Sequence, residues 1–227
     1  MGTKITEKKL GLSYKKTTLI PGKIPPVEMQ ETFIKEYETL KSCAEKGEIH
    51  LIFFDPTHQV HNTVNGTCWQ TRGKRGTVRL PSNTGRKRIS VLGAINSMTG
   101  VCTTMMTENN CDQNMIIATF DEVRKTYSDN KEIVMILDNA SYNHAYKTRD
   151  HAHLLGIRFV FLPTYSPNLN LIERLWKFFK KVVVKNKYYV TFGEFKNAIK
   201  SFFENIQIYK NTISKILNHK FEILKAE

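Results

Sequence analysis

The feature that most limits the fold of this chain is a set of three short runs made almost wholly of apolar residues. They are LIFF at 51–54, IVMIL at 133–137 and IRFVFL at 157–162. Such runs are too short to cross a bilayer, which takes about 20 apolar residues in a helix, but they match central strands that are covered on both faces. Amphipathic helical patterns separate them. This order predicts an α/β fold with a mixed sheet and helices on both faces.

The remaining elements are predicted from the spacing of apolar residues. Helices are expected over 26–48, 113–127 and 143–155, then one that ends near 186, one that begins after Thr191 and one over 209–225. Strands are expected over 49–55, 67–73, 88–97, 100–107, 132–138 and 157–163. We therefore expect a central domain over 27–205, a basic segment over 1–26 and a C-terminal helical extension over 206–227. That extension has two open interpretations, which are a dimer contact and closure of the core.

Charge is distributed unevenly along the chain. There are 34 Lys and Arg against 21 Asp and Glu, a formal net charge of +13, and no acid occurs between Pro56 and Thr107. The basic residues concentrated there are Arg72, Lys74, Arg75, Arg79, Arg86, Lys87 and Arg88. A solvated basic face is the simple explanation. Clustered Lys and Arg also bind a phosphate backbone by releasing counterions, and we favour a nucleic-acid partner.

Cysteine use indicates the compartment. The four cysteines form no CxxC pair, which favours a reduced, intracellular protein. The N-terminus lacks the order of charged, apolar and small residues of a secretory signal. A cytoplasmic location with no membrane partner is therefore expected.

Three acids lie where predicted elements end or begin. Asp55 and Asp138 follow apolar strands, and ligand sites in open α/β sheets gather at the carboxyl ends of strands. Glu173 lies at a helix start, and Lys177 and Lys180 share its helix face at offsets of four and seven. Three carboxylates of this kind suit Mg²⁺, which binds few protein oxygens and keeps water and phosphate ligands. The lysines would line a cleft that receives a phosphate backbone.

Each acid also has an ordinary structural explanation. An aspartate at a strand end forms Asx turns with its own backbone. Asn170 and Glu173 have the spacing of a capping box, and an acid in the first turn suits the helix dipole. We expect Glu173 to serve both as a cap and as a metal ligand.

Three blocks around these acids carry a more specific resemblance. FFDPTHQVH surrounds Asp55, LDNASYNHA surrounds Asp138, and LPTYSPNLNLIERLW leads to Glu173. In this order they resemble the signature of DDE transposases in the superfamily that joins mariner elements with the bacterial insertion sequence 630 group. The 34 residues between Asp138 and Glu173 are the spacing that this resemblance leads one to expect. Mariner-type members usually have proline where this chain has Leu171, so the resemblance leans toward the bacterial branch.

The resemblance covers about residues 27–205 and implies a ribonuclease-H-like fold. It implies two Mg²⁺ ions, replaceable by Mn²⁺, with Asp55 shared, Asp138 on one ion and Glu173 on the other. The implied reaction is cleavage at transposon ends followed by transfer of the 3′-OH ends into target DNA. The implied partners are the terminal inverted repeats, target DNA with insertion at a TA dinucleotide, and a second copy of the chain. A prokaryotic, nucleoid-associated location follows from the bacterial branch.

Several residues near the acids are candidates for phosphate contact or for support of the ligands. They are His58, His61, Asn139 and His144. Asp55, His58 and His61 form a D-x-x-H-x-x-H run, which leaves zinc as a less favoured alternative. Trp69 and Trp176 are expected in the core or in a cleft wall rather than as base-stacking platforms.

Residues 1–26 resemble the tail of a helix-turn-helix recognition region. The chain is therefore expected to be a catalytic portion that works with a companion N-terminal recognition segment. Three alternatives remain open: a truncated or domesticated copy that binds DNA without cutting it, a ribonuclease-H-type nuclease, and a basic scaffold domain.

Overall fold

The computed structural model describes residues 21–70 and 78–225. Its five strands are β1 (Ile49–Val60), β2 (Arg88–Asn96), β3 (Cys102–Thr107), β4 (Glu132–Leu137) and β5 (Ile157–Phe161). Seven α-helices occur in these ranges: α1 (Val27–Glu45), α2 (Gln113–Thr126), α3 (Ser141–His144), α4 (Tyr146–Leu154), α5 (Ile172–Phe179), α6 (Phe192–Glu204) and α7 (Lys210–Ile216). A π-helical turn over Lys180–Val184 extends α5.

The strands form one mixed sheet in the order β3-β2-β1-β4-β5. β1 pairs antiparallel with β2, and β2 pairs antiparallel with β3. β4 is parallel to β1 and to β5. The two apolar strands β1 and β4 are thus neighbours at the centre, as their composition predicts. The expected mixed α/β architecture is confirmed.

Helices cover both faces of the sheet. Alternate residues of β1 point to opposite faces, and because residues 51–54 are all apolar, each face needs a cover. Leu51 and Phe53 belong to a core formed with α1, α5, α6 and α7. Ile52 and Phe54 belong to a second core formed with α2 and α4. The first core also includes Leu217, just after α7, so the end of the chain helps to close it.

β1 is longer than predicted. We expected it to end at Asp55, but it continues to Val60 because β2 pairs with it along that whole length, with Asp55 opposite Gly93. Pairing with β4 stops at Phe53. Pro56 therefore lies where β1 has a partner on one side only, which is where a strand tolerates proline.

Three other predictions differ from the structure. Residues 67–70 form no strand, and the rest of the expected strand at 67–73 lies outside the described residues. The helix expected over 209–225 ends at Ile216, and residues 218–225 are irregular. The helix expected over 143–155 is formed as the two helices α3 and α4.

The domain boundaries at 26 and 205 stay predictions, and most of the segment 1–26 lies outside the described residues. Within those residues, every helix is too short or too polar to span a membrane.

Candidate active site

Three acids from separate parts of the chain meet at one edge of the sheet. Asp55 lies two residues beyond the last β1 residue that pairs with β4, and Asp138 directly follows β4. Glu173 is the second residue of α5. All three line one cavity of about 410 Å³, whose far wall is the loop 162–170. The fold thus brings together the carboxylates that the sequence predicts.

Asp55 is held by a tryptophan. The Trp176 indole Nε1–H donates a hydrogen bond of 3.0 Å to Asp55 Oδ2. Withdrawal from water, together with the negative charges of Glu173 and Asp138, raises the pKa of Asp55 from 3.8 to about 8. The Trp176 hydrogen bond and the positive charge of Lys180 act in the opposite direction. The nearby positive charge is therefore too small to offset the burial of the Asp55 carboxylate and the repulsion from the other two acids.

A glycine makes room for that tryptophan. Gly93 lies opposite Asp55 in β2. A Cβ at Gly93 would lie 2.4 Å from the Cη2 atom of Trp176, which is much closer than van der Waals contact. The indole, only 1% exposed, thus fills the space that a side chain at position 93 would occupy.

Asp138 is oriented by the short helix that follows it. The Asn143 Nδ2 group donates to Asp138 Oδ1 at 3.0 Å and to the Asp138 carbonyl at 3.1 Å. The Ala140 N–H also donates to Asp138 Oδ1, at 3.2 Å. Burial raises the pKa of the Tyr142 phenol, and the charges of Asp138 and Asp55 add to this effect. These contacts fix one oxygen of Asp138 and leave Oδ2 for another ligand.

The capping role expected for Glu173 was wrong. The N-cap of α5 is Leu171, which makes no side-chain hydrogen bond, and Asn170 Oδ1 is buried without a hydrogen-bond partner in the described structure. No hydrogen bond or ion pair in residues 21–70 and 78–225 involves the Glu173 carboxylate. A negative charge in the first turn still suits the helix dipole. The carboxylate is therefore free of the cap and faces the cavity that it shares with the two aspartates.

The donor set fits a hard divalent cation better than zinc. Three carboxylates line the cavity, and Asp55 and Asp138 each keep one oxygen outside the hydrogen bonds described above. No three His, Cys, Asp or Glu side chains of the described residues are close enough to enclose one ion by themselves. A structural zinc site needs about four such ligands. Mg²⁺ takes one or two carboxylates and completes its shell with water and phosphate oxygens.

The four other candidates near the acids have different positions. Asn139 lines the cavity, and its Nδ2 donates to the Leu162 carbonyl. His58 Nδ1 lies 2.8 Å from Ser90 Oγ, and withdrawal from water, followed by the charge of Arg88, lowers the His58 pKa. The three candidate histidines do not line the cavity; they are His58, His61 and His144.

His61 Nε2 is 2.9 Å from the Tyr189 carbonyl, so this ring joins the end of β1 to the segment before α6. His144 stacks on Phe161 with ring centroids 4.3 Å apart, over a separate depression. The phosphate contacts expected for His58, His61, Asn139 and His144 stay predictions.

The basic residues divide into two described groups. One group lines an open groove beside the start of α2 and consists of Arg86, Lys87 and Arg88. Glu108 and Asp112 also line this groove. Lys177 and Lys180 extend along α5, where Lys180 is close enough to lower the Asp55 pKa. Arg79 is exposed. Arg72, Lys74 and Arg75 lie outside the described residues. Contact of these residues with DNA remains a prediction.

The two tryptophans have opposite environments. Trp176 is buried in the core, which is one of the two positions expected for it, and its indole N–H donates to Asp55 of the cavity. The same expectation for Trp69 was wrong, because its side chain is fully exposed. The contacts that Trp176, Asn143 and Gly93 make around the site were not predicted from the sequence. The spacing of Trp176 three residues after Glu173, on the same side of one helix, is the one signal that could have found the first of these.

Comparison with known proteins provides independent information. The pattern of the family described as "DDE superfamily endonuclease" matches residues 50–196. The insertion element IS630 uncharacterized 39 kDa protein of Shigella sonnei is 23% identical over 185 residues, which are 79% of this chain and 52% of that protein. The chain thus spans about half the length of this curated relative.

Solved structures of a mariner transposase have a similar fold. The Mos1 mariner paired end complex with Mn gives a TM-score of 0.67 at 13% identity, over 94% of this chain and 66% of that chain. The catalytic domain of Mos1 mariner transposase gives a TM-score of 0.57 at 14% identity, over 88% of this chain and 94% of that chain. The expected ribonuclease-H-like fold is confirmed by this similarity.

Proposed function

The chain belongs to the DDE superfamily endonuclease family, and from that premise we propose that it is the catalytic part of a DNA transposase of the mariner and insertion sequence 630 superfamily. Its reaction is metal-dependent cleavage of phosphodiesters at transposon ends and transfer of the 3′-OH ends into target DNA. One observation carries this proposal. Asp55, Asp138 and Glu173 line a single open cavity, and no basic side chain of the described residues forms an ion pair with any of them.

Each acid has a role in this reaction that its surroundings support. Asp55, shared between two divalent cations, would hold them together with Asp138 for one and Glu173 for the other; bound there, the cations would supply activation of water or a DNA 3′-OH and stabilisation of the leaving oxygen. Trp176 holds one oxygen of Asp55, and Asn143 holds one oxygen of Asp138. These fixed contacts present the remaining oxygens in a constant direction, as metal ligands require. Mg²⁺ is the natural cation, and Mn²⁺ substitutes for it.

DNA is the partner that the surface favours. Lys177 and Lys180 on α5 and its π-helical extension, and the basic groove at the start of β2, provide two groups of positive side chains. The Mos1 structures include a paired-end complex with a left transposon end, and by analogy this chain binds terminal inverted repeats and target DNA. It acts as a homodimer with a companion N-terminal recognition segment, in the cytoplasm of a prokaryote and in contact with its nucleoid.

The first test is nicking of supercoiled plasmid in Mn²⁺ or Mg²⁺. Wild type, Asp138→Asn and the control Asp150→Asn, which changes an exposed acid outside the cavity, are compared at equal concentration. We expect nicking in wild type and control, and loss of nicking in Asp138→Asn, since the carboxylates would hold the metal ions that activate the reacting groups. Equal nicking in all three would reveal a contaminating nuclease.

Strand transfer separates transposition from simple hydrolysis. A labelled duplex with a free 3′-OH end is incubated with plasmid and Mn²⁺, and joined products are separated on a gel. Joining that depends on Asp138 is expected. Cleavage of an RNA–DNA hybrid without any joining would contradict the proposal and favour a ribonuclease-H-type nuclease. DNA binding without cleavage or joining would favour a non-cutting binding module.

A further inference from the structure

The last described part of the chain, residues 218–225, passes along α1 and the start of α5, and we refer to it as the C-terminal strap. Its first attachment is Arg174, the residue after Glu173. The Arg174 guanidinium donates to the Lys220 carbonyl at 2.6 Å, to Asn218 Oδ1 at 2.9 Å and also to the Asn218 carbonyl. One side chain of α5 thus holds three acceptors of the strap.

The second attachment is made by two amide side chains. Asn168, in the loop that leads to α5, donates from Nδ2 to the Glu222 carbonyl at 2.7 Å and to Gln30 Oε1 at 3.2 Å. Gln30 of α1 is fully buried. Its Nε2 donates to the Leu224 carbonyl at 2.8 Å, and its Oε1 accepts from the Leu224 N–H at 3.1 Å. The strap, the loop and α1 are therefore joined through one amide network.

Apolar contacts hold the strap between these two attachments. The ring of Phe221 lies edge-on to Tyr37, with centroids 4.9 Å apart, and also contacts Phe33. Arg174 lies 5.9 Å from the centroid of the Phe221 ring. Tyr37 also shares a hydrogen bond with His219. The strap is thus packed as well as hydrogen-bonded.

These attachments lie on both sides of Glu173 in the sequence. Asn168 precedes it by five residues and Arg174 follows it by one, while the Glu173 carboxylate makes no hydrogen bond within the described residues. Side chains of consecutive helical residues point about 100° apart. Because the strap holds the Arg174 side chain, it also fixes the rotation of the first turn of α5, and with it the direction in which Glu173 points. The N-terminus of α5 lacks a side-chain cap, and the strap supplies the restraint that a cap would give.

We infer that the C-terminal strap positions Glu173 for metal binding, with Arg174 as the positioning residue. This inference rests on the proposed function, because it assigns the strap a role at the same cation site. Removing the Arg174 contacts frees the first turn of α5, and the Glu173 carboxylate loses its fixed place in the cavity. Groups that orient a metal ligand without touching the metal commonly contribute 10- to 100-fold to its affinity.

The test is a double-mutant cycle with Mn²⁺ affinity as the readout, measured on the full chain from the electron paramagnetic resonance signal of free Mn²⁺. The variants are Arg174→Ala, Glu173→Gln and the double variant. Arg158→Ala is the matched control, since it removes an arginine that pairs with Glu132 on another part of the sheet. We expect Arg174→Ala to weaken Mn²⁺ binding about tenfold when Glu173 is present, and by less than about twofold in the Glu173→Gln background. The control should bind Mn²⁺ like wild type.

Equal losses in both backgrounds, or no loss in a folded Arg174→Ala protein, would overturn the inference while the proposed function stands. A wild type that binds no Mn²⁺ would overturn both. Folding is checked by circular dichroism and thermal unfolding. If Arg174→Ala fails to unfold cooperatively, Arg174→Lys takes its place in the cycle, because lysine keeps the charge and can reach one carbonyl. The loss expected with Lys is about threefold, again only when Glu173 is present.

Discussion

At the scale of single residues, Gly93, Trp176 and Asp55 act as one unit. The indole occupies the space beside Gly93 and donates to Asp55 at 3.0 Å. Gly93→Ala places a methyl group 2.4 Å from the ring, and because the ring is only 1% exposed it has to shift within the core. We expect a loss of about 1–3 kcal/mol in the free energy of unfolding, the usual cost of overpacking. Nicking activity should also fall, since Asp55 loses its hydrogen bond.

Denaturant unfolding measures the first effect, and plasmid nicking measures the second. The matched control is Gly22→Ala, where an added Cβ meets no atom within 4 Å. A Gly93→Ala protein with the stability and activity of wild type would show that Trp176 does not need this space.

The charge of Asp55 gives a second prediction, about pH and metal. Its pKa is about 8 in the folded chain and 3.8 ordinarily, so folding favours the protonated form. The contribution of Asp55 to the free energy of unfolding is therefore highest below pH 3.8, and it is lost as the pH rises from 3.8 to 8. In EDTA at pH 8 we expect Asp55→Asn to be more stable than wild type by about 1–3 kcal/mol, since each pKa unit is worth about 1.4 kcal/mol and relaxation reduces the sum.

The stability difference should shrink toward pH 4, because the Asp55 carboxyl of the unfolded wild type then also takes up its proton. Mn²⁺ should stabilise wild type much more than Asp55→Asn, since binding to the folded state alone raises stability. Thermal unfolding at several pH values, with and without Mn²⁺, tests both statements, and Asp150→Asn serves as the exposed-acid control. An Asp55→Asn protein that is less stable than wild type in EDTA at pH 8 would show that the pKa of Asp55 is not raised in the folded chain.

At the scale of elements, local patterns predicted most helices and strands but not where two of them end. Leu217, Phe221 and Leu224 are spaced at i, i+4 and i+7, which is a helical pattern. The helix nevertheless ends at Ile216, and Phe221 and Leu224 lie in the irregular strap, because Arg174 and Gln30 take up backbone groups that a helix would use internally. β1 likewise extends beyond Asp55 because β2 offers partners as far as Val60. Both outcomes depend on contacts between distant residues, which periodicity does not contain.

The start of β2 carries a prediction about DNA binding. Arg86 and Lys87 are exposed at the groove beside α2, and Lys87 lies 5.4 Å from the centroid of the Phe192 ring. Each phosphate contact contributes about 0.9 to the slope of log affinity against log salt concentration. We expect the double variant Arg86→Gln, Lys87→Gln to lower this slope by about 1–2 and to weaken binding. Fluorescence anisotropy of a labelled duplex in Ca²⁺, at several salt concentrations, measures it.

Lys200→Gln is the control, because Lys200 pairs with Glu204 on an exposed face of α6. An unchanged slope in the double variant, with normal folding, would exclude this groove from the DNA-binding surface.

At the scale of the whole molecule, the acids of the candidate site were predictable and their supports were not. Asp55, Asp138 and Glu173 stand in sequence blocks that resemble one signature, and all three line one cavity. Asn143 reaches Asp138 because of the turn that follows β4. Gly93 lies opposite Asp55 because of the register of β2 against β1. A register cannot be inferred from either strand alone. Glu173 was expected to cap its helix as well, and the backbone instead places Leu171 at the cap.

The distribution of charge over the whole molecule leads to a last prediction, about sequence selectivity. The positive side chains that the structure describes near the cavity and the β2 groove are Lys and Arg on open surfaces, which suit phosphates. Phosphate contacts fix the position of DNA but carry no direct information about its sequence. We therefore expect this chain alone to bind duplexes of different sequence with affinities within about threefold of one another, and with strong dependence on salt.

Repeated selection from a randomised duplex pool, with Ca²⁺ in place of Mg²⁺ to prevent cleavage, tests this prediction. Sequencing should show no enriched motif, and duplexes taken from the first and last rounds should bind equally. Enrichment of one motif with nanomolar affinity would mean that the chain reads base edges. That outcome would remove the physical reason for a companion recognition segment, because the catalytic part would then find the transposon end by itself.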